Sequence, residues 1–225
     1  MMSSSGSRLV FLLGLAAGAA LLAGLYVGLV QAPADVVQGE VQRIMYLHVP
    51  TVLVAYLAFF VVLVGSVGYL LTRRERWDIL AHASAEIGVL FTALTIAAGA
   101  IWGKPTWGAW WTWDARLTTT TILLLIYVGY LMLRAAVEDP ARGARYAAVV
   151  GILGFLDIPI IHKSVEWWRT LHQPSSLARG AIDPALLFPL LLNLGAFALL
   201  YAFLLAQRVE VGRLEAELLR RRLGE

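Results

Sequence analysis

Residues 51–72 read TVLVAYLAFFVVLVGSVGYLLT, a run of 22 residues without a charged side chain. At about 1.5 Å per residue, a helix of this length crosses the roughly 30 Å hydrocarbon core of a bilayer. The apolar residues are continuous rather than alternating, which argues against a strand of a membrane β-barrel. The run therefore predicts a transmembrane helix.

Five further apolar runs predict that the whole chain is an all-α integral membrane protein. Hydrophobic residues make up 60% of its 225 residues and charged residues only 15%, a composition typical of membrane proteins. We expect one domain of six transmembrane helices over residues 1–225, in which the fourth and fifth spans are short and need flanking residues to complete the crossing. The predicted spans are residues 9–30, 51–72, 80–101, 117–133, 145–162 and 184–206.

The positions of Lys and Arg predict the orientation, because loops that remain in the cytoplasm are enriched in these residues. Both termini and two of the loops hold twelve of the eighteen cations, so both termini are predicted to be cytoplasmic. The tail over residues 207–225 is then a basic cytoplasmic segment, most simply an amphipathic helix near anionic lipid. The cations left for the outer face are Arg43, Lys104, Arg116, Lys163, Arg169 and Arg179.

The N-terminal run has an alternative interpretation. Arg8, an apolar segment and Ala32-Pro33-Ala34 resemble a signal peptide with a small-residue cleavage site. The segment is about 22 residues long, however, whereas the core of a signal peptide usually has about 7–15. We therefore expect the first span to be retained.

Prolines and one aspartate indicate where several helices begin or bend. Pro50 and Pro184 are placed where a first-turn proline is tolerated, and Asp183 is able to cap the last span. Pro159 and Pro189 lie inside predicted spans and are expected to kink their helices, since proline cannot donate the regular backbone hydrogen bond.

A tryptophan-rich segment connects the third and fourth spans. On the predicted topology residues 102–116 form an outer loop, and seven of the eight tryptophans lie on the outer side. An aromatic belt occupies both membrane interfaces, so this asymmetry favours an additional role for the indole rings, such as stacking against a large planar ligand. The segment contains Trp102, Trp107, Trp110, Trp111, Trp113, Asp114 and Arg116.

Two histidines are predicted on the same outer side, His48 before the second span and His172 between the fifth and sixth. Without carboxylates close in sequence, a di-iron or zinc-protease site is poorly supported, whereas two imidazoles from opposite sides could hold a haem iron. Ligation from flexible loops would also allow the release that a carrier needs. The cations available to pair with haem propionates are Arg43, Lys104, Arg116 and Arg169.

Other polar residues have simpler interpretations. Asp114 either caps the fourth span or shapes the ligand surface, and the two roles can coexist. We interpret His162 as a structural histidine at the membrane interface. A contact between His82 and Glu86, four residues apart, is the simplest account of that pair, and Asn193 is expected to make an interhelical hydrogen bond.

Several chemistries are excluded for this chain. It has no cysteine, so it supplies no disulfide, thiolate metal ligand or thioether-forming nucleophile. No phosphate-binding loop or dinucleotide fingerprint is present, so ATP hydrolysis and nicotinamide chemistry have no visible site. The positive net charge follows from membrane topology and gives no reason to expect nucleic acid as a partner.

The segment WGKPTWGAWWTWDARLT, with RIMYLHVP before it and VEWWRTLHQP after it, resembles the signature of the WWD-motif family of haem-handling proteins. The histidine segments are similar to those of its cytochrome c maturation protein C branch, and the six-span topology matches along essentially the whole chain. The resemblance implies a haem-handling and transport subunit rather than an enzyme. It would hold haem b non-covalently at the outer face of the bacterial inner membrane, with His48 and His172 as axial ligands of the iron.

The same resemblance implies a set of partners. These are a periplasmic haem chaperone, the ATP-binding and membrane subunits of an ABC transporter, a small single-span accessory protein, and membrane lipid. ATP hydrolysis would then belong to a partner, in agreement with the missing phosphate loop. Two other classes remain open: a membrane b-type cytochrome or haem lyase of the same superfamily, and a cofactor-free permease.

Overall fold

The computed structural model describes residues 4–172, 180 and 182–223. This part of the chain is helical without a strand, and six of its helical segments are long and apolar enough to span a membrane, which confirms the predicted fold class. Arg179 and residues 224 and 225 of the tail lie outside the described residues. The helices are α1 (Ser4–Tyr26), α2 (Met45–Thr72), α3 (Glu75–Trp107), α4 (Ala115–Ala136), α5 (Pro140–Phe155), α6 (Asp157–Trp167) and α7 (Pro184–Leu223).

The bundle is built around the hairpin of α2 and α3, its most extensive helix pair. Helices α4 and α5 pack on one side of this hairpin, while α7 packs on the other side and carries α1. Between α2 and α4 the rings of Phe59 and Tyr127 stack with 3.7 Å between their centroids. Following the predicted topology, we call the end with His48 the outer end and the end with the α2–α3 turn the inner end.

The fifth predicted span consists of two helices. Helix α5 ends at Phe155 and α6 begins at Asp157, so the regular helical hydrogen bonding is interrupted at Leu156, whose backbone stays in the right-handed helical region. Pro159 has no N–H to donate to the carbonyl of Phe155, which explains why the regular ladder stops there. The interruption lies within one turn of the proline at which a kink was predicted, and residues on both flanks lengthen the span as expected, to Pro140–Trp167.

Helix α7 begins and is anchored as predicted. Pro184 is its first residue, and Oδ1 of Asp183 accepts a hydrogen bond of 2.8 Å from the backbone N–H of Ala185. Nδ2 of Asn193 donates to the carbonyl of Gly24 on α1 at 2.7 Å, which confirms the interhelical hydrogen bond.

Two helix boundaries predicted for the outer end were wrong. Helix α2 begins at Met45, directly after a 3₁₀ turn over Glu40–Ile44, so Pro50 lies inside the helix and not in its first turn. Helix α3 continues to Trp107, which reduces the predicted loop of residues 102–116 to residues 108–114. The helix ends where Gly108 adopts a φ of 77° and donates its N–H back to Lys104.

Ion pairs between helices hold the inner end together. Asp78 of α3 pairs with Arg134 of α4 at 2.9 Å, and Glu86 of α3 pairs with Arg208 of α7 at 3.0 Å. Nε2 of His82 lies 3.8 Å from the Glu86 carboxylate, which confirms the predicted contact. These pairs neutralise charges that would be costly to leave alone near the membrane interior.

The basic tail is not a separate helix. Helix α7 continues without interruption from the last span to Leu223. The part of α7 beyond the last span, residues 207–223, lies against the start of α3, where a guanidinium nitrogen of Arg220 is 3.4 Å from the carboxylate of Glu75. The tail is therefore part of the helical bundle, because its arginines find carboxylates on the neighbouring helix.

Candidate ligand site at the outer end

The two outer histidines come from different elements, and each contacts a tryptophan near the end of α3. His48 lies near the start of α2, and His172 follows α6 in the loop before α7. The His48 ring stands edge-on to Trp102, with 5.7 Å between centroids, and His172 stands edge-on to Trp107, with 4.6 Å. The expectation that both histidines lie on flexible loops was wrong for His48, because α2 begins earlier than predicted.

The backbone of α3 passes close to the His48 ring at Gly99. A Cβ atom placed on Gly99 would lie 3.0 Å from Cε1 of His48, closer than an ordinary van der Waals contact. Because Gly99 has no side chain, the imidazole of His48 can occupy the space beside it. The sequence analysis missed this residue, since one glycine in an apolar run carries no signal without a knowledge of its neighbour.

Asp114 caps α4, the first of the two roles that the sequence left open, and it also contacts the loop of the second histidine. Its Oδ1 accepts a hydrogen bond of 2.9 Å from the backbone N–H of Leu117 and so caps α4. Its Oδ2 accepts from Nδ1 of His172 at 2.8 Å and from the hydroxyl of Thr170 at 3.0 Å. One carboxylate thus joins the start of α4 to the loop that carries the second histidine.

The environment sets the charge state of this carboxylate–histidine pair. Burial tends to raise the pKa of Asp114, but the hydrogen bonds from Leu117, His172 and Thr170 outweigh it and hold that pKa below its ordinary value. Burial lowers the pKa of His172, although Asp114 opposes the shift and Arg116 adds to it. A neutral His172 that donates its Nδ1–H to Asp114 keeps the Nε2 lone pair for a ligand.

Arg116 lies in the first turn of α4, within electrostatic range of both histidines and of Asp114. The sequence analysis named Arg116 as a candidate partner for an anionic ligand group, and its position beside both histidines is compatible with that role. Arg43 is held differently: it donates to the carbonyl of Leu29 and pairs with Glu40 at 2.5 Å. The side chain of Arg43 is therefore tied to the segment between α1 and α2.

Two further contacts belong to the chain segments around the site. Nζ of Lys104 donates to the carbonyl of Gly108 at 3.0 Å, which strengthens the end of α3. Nε1 of Trp102 donates to Oε1 of Gln38 at 2.8 Å, so the loop before α2 positions this indole. Sequence reasoning missed Gln38 because nothing in its local sequence marks it.

The structure divides the tryptophan strip into two groups. Trp102 and Trp107 lie on the last turns of α3, half-buried against the histidines. Trp110 and Trp113 are 58% and 78% exposed, and Trp111 is half-buried with its ring 5.4 Å from that of Trp113. The first group forms the inner wall of the site, and the second presents indole faces to the surroundings.

The donor set suits a haem iron. In the described part of the chain, no group of three or more His, Cys, Asp or Glu side chains is arranged to hold a metal ion. Nδ1 of His48 is buried without a hydrogen bond to a described residue. Two imidazoles with indoles and an arginine beside them are side chains that could hold the iron, the apolar faces and an acidic edge of a haem.

The chain is similar over most of its length to proteins of one known family. The model of the family described as heme exporter protein C matches residues 1–224. Proteins named heme exporter protein C are similar in Bradyrhizobium diazoefficiens (42% identical over 205 residues; 88% of this chain and 76% of the relative) and in Escherichia coli K12 (41% over 178 residues; 79% and 73%). The Haemophilus influenzae protein of the same name is 41% identical over 197 residues, covering 86% of this chain and 80% of the relative.

Proposed function

The chain belongs to the heme exporter protein C family, and on this premise we propose that it binds haem b at the outer face of the bacterial inner membrane. It presents the haem to a periplasmic haem chaperone for cytochrome c maturation. The protein is then a haem-handling and transport subunit, and ATP hydrolysis belongs to an ABC transporter partner. Its other proposed partners are a small single-span accessory protein and membrane lipid.

One observation carries this proposal: His48 and His172, 124 positions apart in sequence, each stand edge-on to a tryptophan at the end of α3. Their Nε2 atoms are the proposed axial ligands of the iron, while Trp102 and Trp107 cover the apolar faces and edges of the haem. Arg116 is the proposed partner of a propionate, since it lies near both histidines.

The exposed indoles have a separate proposed role. Trp110 and Trp113 leave more than half of their surface accessible. Aromatic residues of this kind are common at the centre of protein interfaces. We assign this surface to the incoming chaperone, so that haem and chaperone contact the same strip from two sides.

The test is the absorption spectrum of the purified protein, supplied with haem, before and after removal of the histidines. The wild type is expected to show a low-spin b-type spectrum, and His48→Ala combined with His172→Ala is expected to lose it. His162→Ala is the matched control, because this histidine is exposed on α6 at the same end of the bundle. An unchanged spectrum and haem content in the double variant would refute the ligand assignment.

Two further results would redirect the proposal. Reduction of bound haem by quinol at turnover rates would indicate a membrane b-type cytochrome. Absence of any chromophore in wild type supplied with haem would favour a permease. The proposal itself expects haem to leave the protein when the purified chaperone is added, as followed by the spectrum of each separated protein.

A further inference from the structure

The two histidines differ in what their second ring nitrogen contacts. Nδ1 of His172 donates to the Asp114 carboxylate at 2.8 Å. Nδ1 of His48 is buried and makes no hydrogen bond of ordinary geometry within the described residues. The backbone carbonyl of Thr95 lies close to the His48 ring as a possible hydrogen-bond acceptor, but it carries no charge. Among the described residues, a charged acceptor therefore lies behind the ring of His172 and none lies behind that of His48.

A carboxylate behind a histidine changes that histidine as a metal ligand. It fixes the tautomer and the orientation of the ring, and it raises the basicity of the opposite nitrogen. Here the carboxylate is itself held, because Asp114 also caps α4 through Leu117 and binds Thr170. With the side chain of Asp114 only 7% exposed, water competes little for these bonds.

His48 is held in a different way. Its backbone belongs to the regular helix α2, so its position is fixed, while its ring is confined by Trp102 and by the backbone at Gly99. These contacts restrict the ring sterically and add no negative charge to it. Arg116 acts on both histidines and so does not distinguish them.

We infer that the two axial ligands are unequal: Asp114 is the positioning residue that makes His172 the strong ligand, and His48 is the ligand exchanged at handover. The inference rests on the proposed haem binding and adds an order of events to it. A carrier needs such an asymmetry, because a haem held by one strong ligand stays bound while the other position passes to the chaperone.

Asp114→Asn tests the role of the carboxylate. Asparagine keeps a side-chain oxygen that accepts the Leu117 N–H, but it offers no negative charge to His172. We expect haem to dissociate about 10–100-fold faster, as measured by transfer to apomyoglobin, and the midpoint potential of bound haem to become more positive. The control is Asp139→Asn at the inner end, where Asp139 caps α5 through Ala141 and Arg142 and contacts no histidine.

The single histidine variants test the order of strength without altering the cap of α4. His48→Ala is expected to retain haem, and added imidazole is expected to restore the low-spin spectrum. His172→Ala is expected to lose haem faster than His48→Ala, since only the weaker ligand remains. Apomyoglobin transfer rates of the two variants, measured side by side, give the comparison.

Each outcome bears on a stated claim. Equal dissociation rates and potentials for Asp114→Asn and Asp139→Asn would overturn the role of Asp114, as would faster haem loss from His48→Ala than from His172→Ala. In both cases the wild type still binds haem, so the proposed function stands. A wild type that binds no haem overturns the proposed function itself, and this inference with it.

Discussion

The two ends of the bundle treat polar side chains in opposite ways. At the inner end each interhelical carboxylate meets a guanidinium, as in the pairs Asp78–Arg134 and Glu86–Arg208. At the outer end Nδ1 of His48 and the hydroxyl of Thr112 are buried without a hydrogen bond to a described residue. Paired charges hold the helices together at the inner end, whereas among the described residues the outer end keeps buried polar atoms without such partners.

Histidines illustrate the same difference. His82 at the inner end lies among carboxylates and arginines of three helices, 3.8 Å from Glu86. His48 and His172 at the outer end lie against indole rings and share one nearby arginine. A histidine therefore does not indicate a ligand site until its surroundings are known. At the outer end, the aromatic rings around the two histidines favour a planar ligand.

The largest expected effect on stability comes from removing an ion pair at the inner end. Arg208→Ala leaves the Glu86 carboxylate, about one-third exposed, without its guanidinium. We expect a loss of about 2–3 kcal/mol in the free energy of unfolding, below the roughly 3–5 kcal/mol of a fully buried pair because the site is partly solvated. The measurement is denaturant unfolding in detergent micelles, with the haem spectrum of the folded protein unchanged.

The matched control for Arg208→Ala adds Glu86→Gln in the same chain. Removing the unpaired charge is expected to recover about half of the lost stability, since a neutral amide is cheaper to leave unpaired. Loss of bound haem at unchanged stability would contradict the division of the molecule into a cohesive inner end and a ligand-binding outer end.

A second experiment separates the two groups of tryptophans. Trp107→Ala removes the edge-on contact with His172, and since such contacts contribute about 0.5–1.5 kcal/mol, the haem dissociation constant is expected to rise about three- to tenfold. Trp113→Ala, at a residue 78% exposed, is expected to leave haem affinity unchanged and to slow transfer to the chaperone. Equal haem affinities for the two variants would show that the strip acts as one surface.

The smallest expected effect concerns the space around His48. Gly99→Ala places a Cβ 3.0 Å from Cε1 of His48, so the ring must shift by a few tenths of an ångström. We expect haem affinity to fall about two- to threefold, less than the roughly 1–3 kcal/mol that overpacking of a rigid core costs, because the ring needs to move only slightly. Gly129→Ala in α4, where no atom lies within 4 Å of the added Cβ, is the control and should bind haem like wild type.

Helix content and most membrane spans were predictable from the sequence. Hydropathy is a local property, so six apolar runs were sufficient to predict six spans, and Pro184 with Asp183 marked the start of α7. Helix ends were less predictable. Pro50 was interpreted as a first-turn residue although it lies inside α2. The true start of α2 at Met45 was missed because no capping side chain marks it.

The candidate site was partly predictable. The residue types in WGKPTWGAWWTWDARLT and the flanking histidines were enough to propose a planar ligand and its two axial positions. The sequence did not show that Trp102 and Trp107 belong to a helix, because a segment with Gly103, Pro105 and Gly108 is typical of a loop. It also gave no signal for Gly99.

By itself the sequence determined the membrane fold and the family, and it was sufficient to propose the chemical class of the site, since composition, hydropathy and motif are readable without coordinates. Only the tertiary structure decided which histidine has a carboxylate behind it. Asp114 and His172 are 58 positions apart, and their hydrogen bond of 2.8 Å exists because the cap of α4 and the loop after α6 meet at the outer end. Contacts of that range depend on helix packing, which no local pattern specifies.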